Sequence, residues 1–218
     1  MQHGDSIFLK KNLIEVIEAR LAAPAQIVPP PVEWDKLSSD DYMYQPVFIE
    51  GVFDHRVEQF WFVHHEKFGP GYQVITPFVI GEERIVMVNR GYIPASQQAS
   101  ATRQDGQISG KVRLEGLMVW PSERNVFEPP DEPDNNLWFV KDVNAMAENA
   151  GYEKNSWPIA PFFIDSQEKS LPQILLCNLS SILFQVELAI KIQVCLYSYT
   201  YDMIKCVVFS LNKKTNII

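Results

Sequence analysis

Ile85-Val86-Met87-Val88-Asn89-Arg90-Gly91-Tyr92-Ile93-Pro94 is an apolar run that ends in an arginine, a glycine and a proline. Residues 85–88 are apolar at every position, which is typical of a strand covered on both faces. We therefore predict a central strand over residues 84–90. Arg90 beside such a core needs a carboxylate or carbonyl partner, because an unpaired buried charge is costly.

The candidate partners of Arg90 are Asp142 and Asp165. An ion pair that fixes the end of the strand is favoured over direct contact with a ligand. Gly91 follows Arg90 directly. Glycine adopts backbone conformations that other residues avoid, so it can relieve backbone strain at the end of the strand.

Further short segments are rich in Val, Ile and aromatic residues and are bounded by Gly or Pro, which predicts strands. These segments are 46–53, 58–63, 71–79, 111–119, 137–141 and an edge strand over 161–165, with a hairpin connection at 81–83. The polar stretches 95–110 and 128–136 predict exposed loops. The fold class is α+β, with an antiparallel β-barrel-like or strongly twisted sheet as its core.

Two helices complete the predicted fold. Leu9, Leu13, Ile17 and Leu21 recur at helical spacing and predict an amphipathic helix over residues 5–22. A short helix over 143–150 can be capped by Asp142 and ended by Gly151 in a left-handed conformation. The helix over 5–22 and a proline-rich connector form residues 1–41, ahead of a β-rich domain over 42–170.

The composition changes after residue 170. The tail, 171–218, carries all three cysteines and no glycine. Its uncharged part, 171–186, contains several amide and hydroxyl side chains, so it is a marginal candidate for a membrane span of about 20 apolar residues. The cysteines have no C-x-x-C spacing, and neither a disulfide framework nor a zinc site is predicted.

Charge and motifs exclude several functions. The formal net charge of −8 argues against a nucleic-acid partner, because phosphate binding needs clustered Lys and Arg. Neighbouring strand residues point to opposite faces, so His64 and His65 are not predicted to chelate one metal. The acidic residues of 131–134 lack the pattern of a calcium loop.

No catalytic motif is present, and we predict a protein that is not an enzyme, with no catalytic residue and no intrinsic cofactor or metal.

Several strings, taken in order, resemble the Surfeit locus protein 1 family. They include Gly51-Val52-Phe53, Thr102-Arg103-Gln104, Phe127-Glu128-Pro129 and the stretch from Val88 to Pro94, and the resemblance covers residues 10–168. The residues that carry the family motif are given a structural role. They are Gly71, Tyr72, Thr76, Pro77, Asn89, Arg90, Gly91, Pro94, Trp138, Asp142 and Asp165.

The resemblance implies a membrane-associated assembly factor for cytochrome c oxidase. Such a protein assists the delivery of haem a to subunit I, with haem a as a transient ligand and with haem a pathway proteins and the membrane as partners. Its location is the bacterial cell membrane with the domain facing the periplasm, or alternatively the mitochondrial inner membrane.

The chain departs from the family pattern at both ends. The family has a membrane span before the first helix and a second span that opens with Asn, His, Leu and Trp, yet no histidine follows His65. No haem-contacting residue can therefore be assigned, and we expect a truncated start and an altered, frame-shifted end. The alternative function is a β-barrel module that binds a small ligand or a protein unrelated to the oxidase.

Overall fold

The computed structural model describes residues 15–81, 84–153 and 156–166. Within these ranges the chain is mostly β-sheet. The strands are β1 (Gln26–Ile27), β2 (Pro46–Phe53), β3 (Gln59–His65), β4 (Gly69–Ile80), β5 (Arg84–Pro94), β6 (Val112–Val119), β7 (Leu137–Trp138) and β8 (Ile159–Ser166).

The helical segments are short. Helix α1 is described over 15–21, α2 spans Ser39–Tyr42 and α3 spans Val143–Asn149. Further 3-10 helices lie at Pro31–Lys36, His55–Val57, Ala95–Gln97, Ser100–Gly106 and Pro133–Asn135.

Five strands close into a barrel in the order β2, β6, β8, β5, β4. Closure is made by the pairing of β2 with β4, in which Val52 faces Val79 and Phe53 faces Phe78. The long strand β4 continues past the barrel and pairs there with β3, and β7 and β1 extend the sheet at its two ends. The predicted barrel-like core is confirmed.

The prediction of an antiparallel sheet is wrong, because the barrel is mixed. β5 and β8 run parallel, with Val88 facing Ile164 and Asn89 facing Asp165. β8 also pairs with β6, so it is an internal strand of the barrel and not the predicted edge strand. The β5–β8 register is irregular between the pairs Ile85–Ile159 and Met87–Phe163. Pro161, which has no N–H to donate, falls inside this irregular region.

Apolar side chains fill the inside of the barrel. All five strands contribute, and each of these side chains is at most 6% exposed: Val47, Ile49, Phe53, Phe78, Val86, Val88, Leu114, Met118, Ala160, Phe162 and Ile164. Trp34, from the 3-10 helix Pro31–Lys36, joins this core and meets the Phe162 ring edge-on at 6.0 Å. The interior is therefore a packed core.

A second core lies on the outer face of β5 and β8, where α3 packs. Asp142 caps α3 by accepting a hydrogen bond from the Ala145 N–H at 3.0 Å, and Gly151 follows the helix with φ 88°. The buried side of α3 consists of Val143, Met146 and Ala147. The predicted short helix, its cap and its left-handed terminator are confirmed.

Other predictions fall partly outside the described residues. Residues 5–14 of the predicted first helix, residues 82–83 of the hairpin and the whole of 171–218, with its candidate membrane segment and its cysteines, are not described. The amphipathic pattern of the first helix therefore remains a prediction. Among the helices of the described residues, none has the length and apolarity needed to cross a membrane.

Candidate functional site

A β-bulge interrupts strand β5 at Arg90 and Gly91. Gln73 of β4 pairs with Tyr92 and Ile75 pairs with Asn89, so Val74 alone lies opposite the two residues Arg90 and Gly91. Gly91 has φ 108°, a conformation that L-residues with a side chain rarely adopt. Position 91 needs glycine because the extra residue of the bulge bends β5 and gives this residue a positive φ.

The Arg90 side chain lies inside the protein, as strand alternation from the inward-facing Val86 and Val88 requires. Arg90 has no exposed surface, and its guanidinium lies 5.1 Å from the ring centre of Phe53, the last residue of β2. Nη1 donates to Glu58 Oε1 at 2.9 Å, and Nη2 donates to the Gly106 carbonyl. The carboxylate partner of Arg90 is therefore Glu58, and the prediction of Asp142 or Asp165 is wrong.

Glu58 is the centre of this buried cluster. It lies just before β3, is 5% exposed, and accepts hydrogen bonds on both carboxylate oxygens. Oε1 accepts from Arg90 and from Gln107 Nε2 at 3.2 Å, and Oε2 accepts from Arg103 Nη2 at 2.6 Å. We call Glu58, Arg90, Arg103 and His55 the Glu58 cluster.

Electrostatics keep Glu58 ionised. Burial by itself would raise the pKa of Glu58, but hydrogen bonds from His55 and Arg103 and the charges of Arg103 and Arg90 outweigh it and lower the pKa to about 2. Burial lowers the pKa of Arg90 to about 10, opposed by the charge of Glu58. Both groups are therefore charged at neutral pH.

Arg103 approaches Glu58 from the connection between β5 and β6. Its backbone breaks the 3-10 segment Ser100–Gly106, with φ −135° and ψ 41°. Nε donates to the Gln97 carbonyl at 2.8 Å and Nη2 donates to the Gln98 carbonyl at 3.1 Å. The predicted exposed loop over 95–110 is thus wrong at Arg103, which is 8% exposed and ties this connection to the barrel.

His55 joins the Glu58 cluster through both ring nitrogens. Nε2 lies 2.9 Å from the Ile108 carbonyl, which can only accept, so Nε2 carries the proton. Nδ1 lies 3.0 Å from Arg90 Nη1 and 3.2 Å from Glu58 Oε1. Nδ1 of His55 is therefore within hydrogen-bonding distance of both members of the Arg90–Glu58 ion pair.

The cluster contains two buried guanidinium groups and one buried carboxylate. Among the atoms of the described residues, Arg90 Nε and Arg103 Nη1 are buried donors without a hydrogen-bond partner. The backbone carbonyls of Gln97, Gln98 and Gly106 accept hydrogen bonds from other N–H groups of the two arginines. A carbonyl carries no full charge, so these bonds do not neutralise a guanidinium. Arg90, Arg103 and Glu58 together tie the bulge of β5, the start of β3 and the β5–β6 connection to one another.

Comparison with known families adds to this geometry. The model of the SURF1 family matches residues 8–193, which is most of the chain. The chain belongs to the SURF1 family. Surfeit locus protein 1 of Xenopus tropicalis is 33% identical over 177 residues, which cover 74% of this chain and 54% of that protein. The human protein of the same name is 32% identical over 177 residues, covering 74% and 55%.

A SURF1-like protein of Monosiga brevicollis is 33% identical over 152 residues, covering 64% of this chain and 56% of the relative. This SURF1-family chain thus spans about half the length of the curated relatives that it matches. The resemblance to the family predicted from the ordered motifs is confirmed.

Some motif residues of this SURF1-family chain form a second polar group, on the outer face of the barrel. Asn89 Nδ2 donates to Gln73 Oε1 at 2.7 Å and to Asp165 Oδ1 at 3.0 Å, while Asn89 Oδ1 accepts from the Gly91 N–H at 3.0 Å. Lys141 Nζ lies 3.5 Å from Asp165. Asp165 and Asn89 thus fix the bulge from the side opposite to Arg90.

The remaining motif residues are dispersed along the sheet. Gly71 pairs with Pro94, and Pro77 pairs with Met87. Thr76 is fully buried in β4. These residues support the β4–β5 ladder and do not converge with the Glu58 cluster.

Two further motif residues hold the outside of the barrel. Tyr72 lies beside the ring of Phe60 at 5.8 Å. Trp138 is 1% exposed and donates from Nε1 to Gln59 Oε1 at 3.0 Å. The structural role of these two residues stays a prediction.

Sequence reasoning missed Glu58 and Arg103 as site residues. Glu58 stood only as the first residue of a predicted strand, and Arg103 only as part of a family string. No local signal marks Glu58, because its partners Arg90 and Arg103 lie 32 and 45 residues further along the chain. Among the described residues, no three His, Cys, Asp or Glu side chains come together in a way that could hold a metal ion.

Proposed function

We propose that this chain is a membrane-associated assembly factor for cytochrome c oxidase that assists the delivery of haem a to subunit I. The observation that carries the proposal is the match of the SURF1 family to residues 8–193. The protein acts by contact with its partners and performs no reaction of its own. Its location is an inner membrane, that of a bacterium or of a mitochondrion.

The packed interior of the barrel supports action through surfaces. The side chains inside it are at most 6% exposed, so they leave no room for a cargo of the size of haem. Haem a, the cargo under this proposal, therefore contacts the outside of the described domain or another part of the protein. For the same reason, a small ligand of a binding module unrelated to the oxidase would also bind outside the barrel.

The charged groups support a docking role over a catalytic one. Glu58 and Arg90, the most strongly buried charged pair of the cluster, form an ion pair, and each has a pKa that keeps it charged at neutral pH. A general acid or base works best with a pKa near the operating pH, which neither group has. Under this proposal, Glu58 and Arg90 contribute by holding the shape of the protein surface that covers them.

The test uses a bacterium that makes a haem a-containing oxidase and has lost its own SURF1 relative. Expression of the chain should restore oxidase activity and the haem a content of purified subunit I, measured by reduced pyridine spectra. Glu58→Ala, which disrupts the cluster, is the negative control, and Glu50→Ala, at an exposed ion pair with Lys111, is the matched positive control.

Two outcomes would contradict the proposal. In the first, the deletion strain keeps normal oxidase activity and haem a content. In the second, the chain accumulates at the membrane yet restores neither. Restored subunit I protein with no haem a would retain the assembly role and overturn the role in haem delivery.

A further inference from the structure

Two adjacent apolar side chains stand in water in the connection between β6 and β7. Val126 is 96% exposed and Phe127 is 91% exposed, more than any other large hydrophobic residue among those that the structure describes. Side chains this exposed bury almost no apolar area within the domain, so they contribute little to its stability. Single exposed apolar residues are normal on a protein surface, but an adjacent pair held outward points to a contact with another molecule.

The backbone of this pair is fixed by a closed set of hydrogen bonds. The Glu128 N–H donates to the Asn125 carbonyl at 3.1 Å, which closes a four-residue turn with Val126 and Phe127 at its centre. The Asn125 side-chain oxygen accepts from the Phe127 N–H at 3.1 Å, and the Glu128 carboxylate accepts from the Asn125 N–H at 2.7 Å. The turn therefore presents both apolar side chains from a defined backbone.

The base of this turn is fastened to the sheet. Arg124 donates to the Pro129 carbonyl and to the Asp131 carboxylate. The other oxygen of Asp131 accepts from the N–H groups of Phe139, at 2.6 Å, and of Val140, at 3.2 Å, directly after β7. Because the backbone is ordered before any contact is made, little conformational entropy is lost when the turn docks.

The charge of the connection indicates which kind of surface the turn meets. Residues 121–136 contain five carboxylates and one arginine, so their formal net charge is −4. Arg124 and Asp131 pair with each other. The four remaining charges are those of Glu123, Glu128, Glu132 and Asp134.

This acidic charge favours a protein over a lipid surface. Membranes that carry anionic lipids attract basic segments and repel an acidic one. An apolar pocket bordered by lysine or arginine on a protein complements both the charge of residues 121–136 and the two apolar side chains.

We infer that Val126 and Phe127 dock into an apolar pocket of a partner protein and that the rim of this pocket is basic. The site deepens the proposed function, on which it rests for the existence of a protein partner. Aromatic side chains are enriched in the buried centres of protein interfaces. Phe127 is therefore the main anchor, and the acidic residues beside it guide the approach of the partner.

Photo-crosslinking tests the contact in the oxidase-producing bacterium that lacks its own SURF1 relative. One form of the full chain carries p-benzoylphenylalanine in place of Phe127, and another carries it in place of Glu50, an exposed residue of β2. Irradiation should join position 127, but not position 50, to a protein. Mass spectrometry should place the adduct on a peptide that contains apolar residues and at least one lysine or arginine.

Charge reversal tests the basic rim. Glu123→Lys combined with Glu132→Lys should lower the adduct yield at position 127 roughly threefold or more, because like charges then face each other. Glu33→Lys combined with Asp35→Lys makes the same change in net charge at two other exposed positions and should leave the yield unchanged.

Phe127→Ser tests the anchor through the oxidase. At low expression this variant should lower the restored oxidase activity roughly tenfold, as expected when a buried anchor is removed from an interface. Its abundance and melting temperature should stay those of the unsubstituted chain, because Phe127 is 91% exposed. Val32→Ser, which removes another apolar side chain that is 81% exposed, should restore the oxidase fully.

Four results would each overturn the docking site. Position 127 joins only lipid, or it gives no more adduct than position 50, or charge reversal at positions 123 and 132 leaves the yield unchanged, or Phe127→Ser restores the oxidase as fully as Val32→Ser does. The adduct is measured whether or not the chain restores the oxidase. A chain that forms the protein adduct yet restores no oxidase overturns the proposed function alone.

Discussion

Glu58 Oε1 lies 2.9 Å from Arg90 Nη1, and the Arg90 side chain is completely buried. Glu58 lies just ahead of β3 and Arg90 lies in the bulge of β5, 32 residues further along the chain. Because Arg90 is buried, Glu58 cannot be removed without leaving a buried guanidinium without its carboxylate.

Glu58→Ala should destabilise the protein by about 3–5 kcal/mol, because it leaves uncompensated buried charge on Arg90 and Arg103. Glu50→Ala, which breaks an exposed pair with Lys111, should cost less than about 1 kcal/mol. Urea denaturation followed by tryptophan fluorescence measures both. Equal losses of stability in the two variants would show that the Glu58 cluster does not hold the fold.

Stability should fall in acid because of Glu58. Its pKa is lowered from 4.5 to about 2 in the folded protein, so its contribution is fully present above pH 4.5 and is lost as the pH falls toward 2. The loss is about 3 kcal/mol for a shift of this size. Denaturation curves between pH 7 and pH 2 measure it.

Glu58→Gln is the control for this pH dependence. The variant should be less stable than the unsubstituted chain at pH 7 and should show a much flatter decline below pH 4.5. A residual slope is expected from Asp54, whose pKa is lowered to about 2, mainly by the hydrogen bond from Arg56. An unchanged slope in Glu58→Gln would assign the acid sensitivity to other carboxylates.

Gly71→Ala should destabilise the β4–β5 ladder by about 3 kcal/mol, because overpacking forces the backbone to shift. A Cβ at position 71 would lie 2.3 Å from the Ile93 carbonyl oxygen and 2.6 Å from the Tyr92 ring. Gly69, two residues away, has φ 78°, and a Cβ added there would meet nothing within 4 Å. Gly69→Ala should therefore cost only about 1 kcal/mol, from backbone conformation alone.

Thermal unfolding of these two glycine variants, measured by circular dichroism, tests the comparison. The steric explanation fails if Gly69→Ala lowers the melting temperature as much as Gly71→Ala does. Both positions lie at the start of β4, with Gly69 half-buried and Gly71 buried, so the comparison sets backbone strain at Gly69 against steric overlap at Gly71.

Asp142→Ala should cost about 1 kcal/mol, because the first turn of α3 loses the acceptor for the Ala145 N–H. Asp142→Ser keeps an oxygen that can cap the helix and should recover most of this loss. Urea denaturation compares the three proteins. If Asp142→Ser and Asp142→Ala destabilise the protein equally, Asp142 does not stabilise it by capping α3.

Local patterns are enough to place most elements of this protein. The sequence predicts the strand over Pro46–Phe53 with its bounds, and it predicts Asp142, α3 and Gly151 in their roles. These features depend on residues close in sequence: alternation of apolar side chains, a capping oxygen and a glycine with positive φ. The ordered motifs likewise identify the family.

Only the tertiary structure decided how the strands pair and which charges meet. Closure between β2 and β4, the parallel pairing of β5 with β8, and the choice of Glu58 over Asp142 and Asp165 all join residues far apart in sequence. Side-chain alternation specifies which face of a strand is buried but not which strand lies beside it. The partner of Arg90 was therefore set by barrel closure, which brings Glu58 and Arg103 to the same buried end of β5.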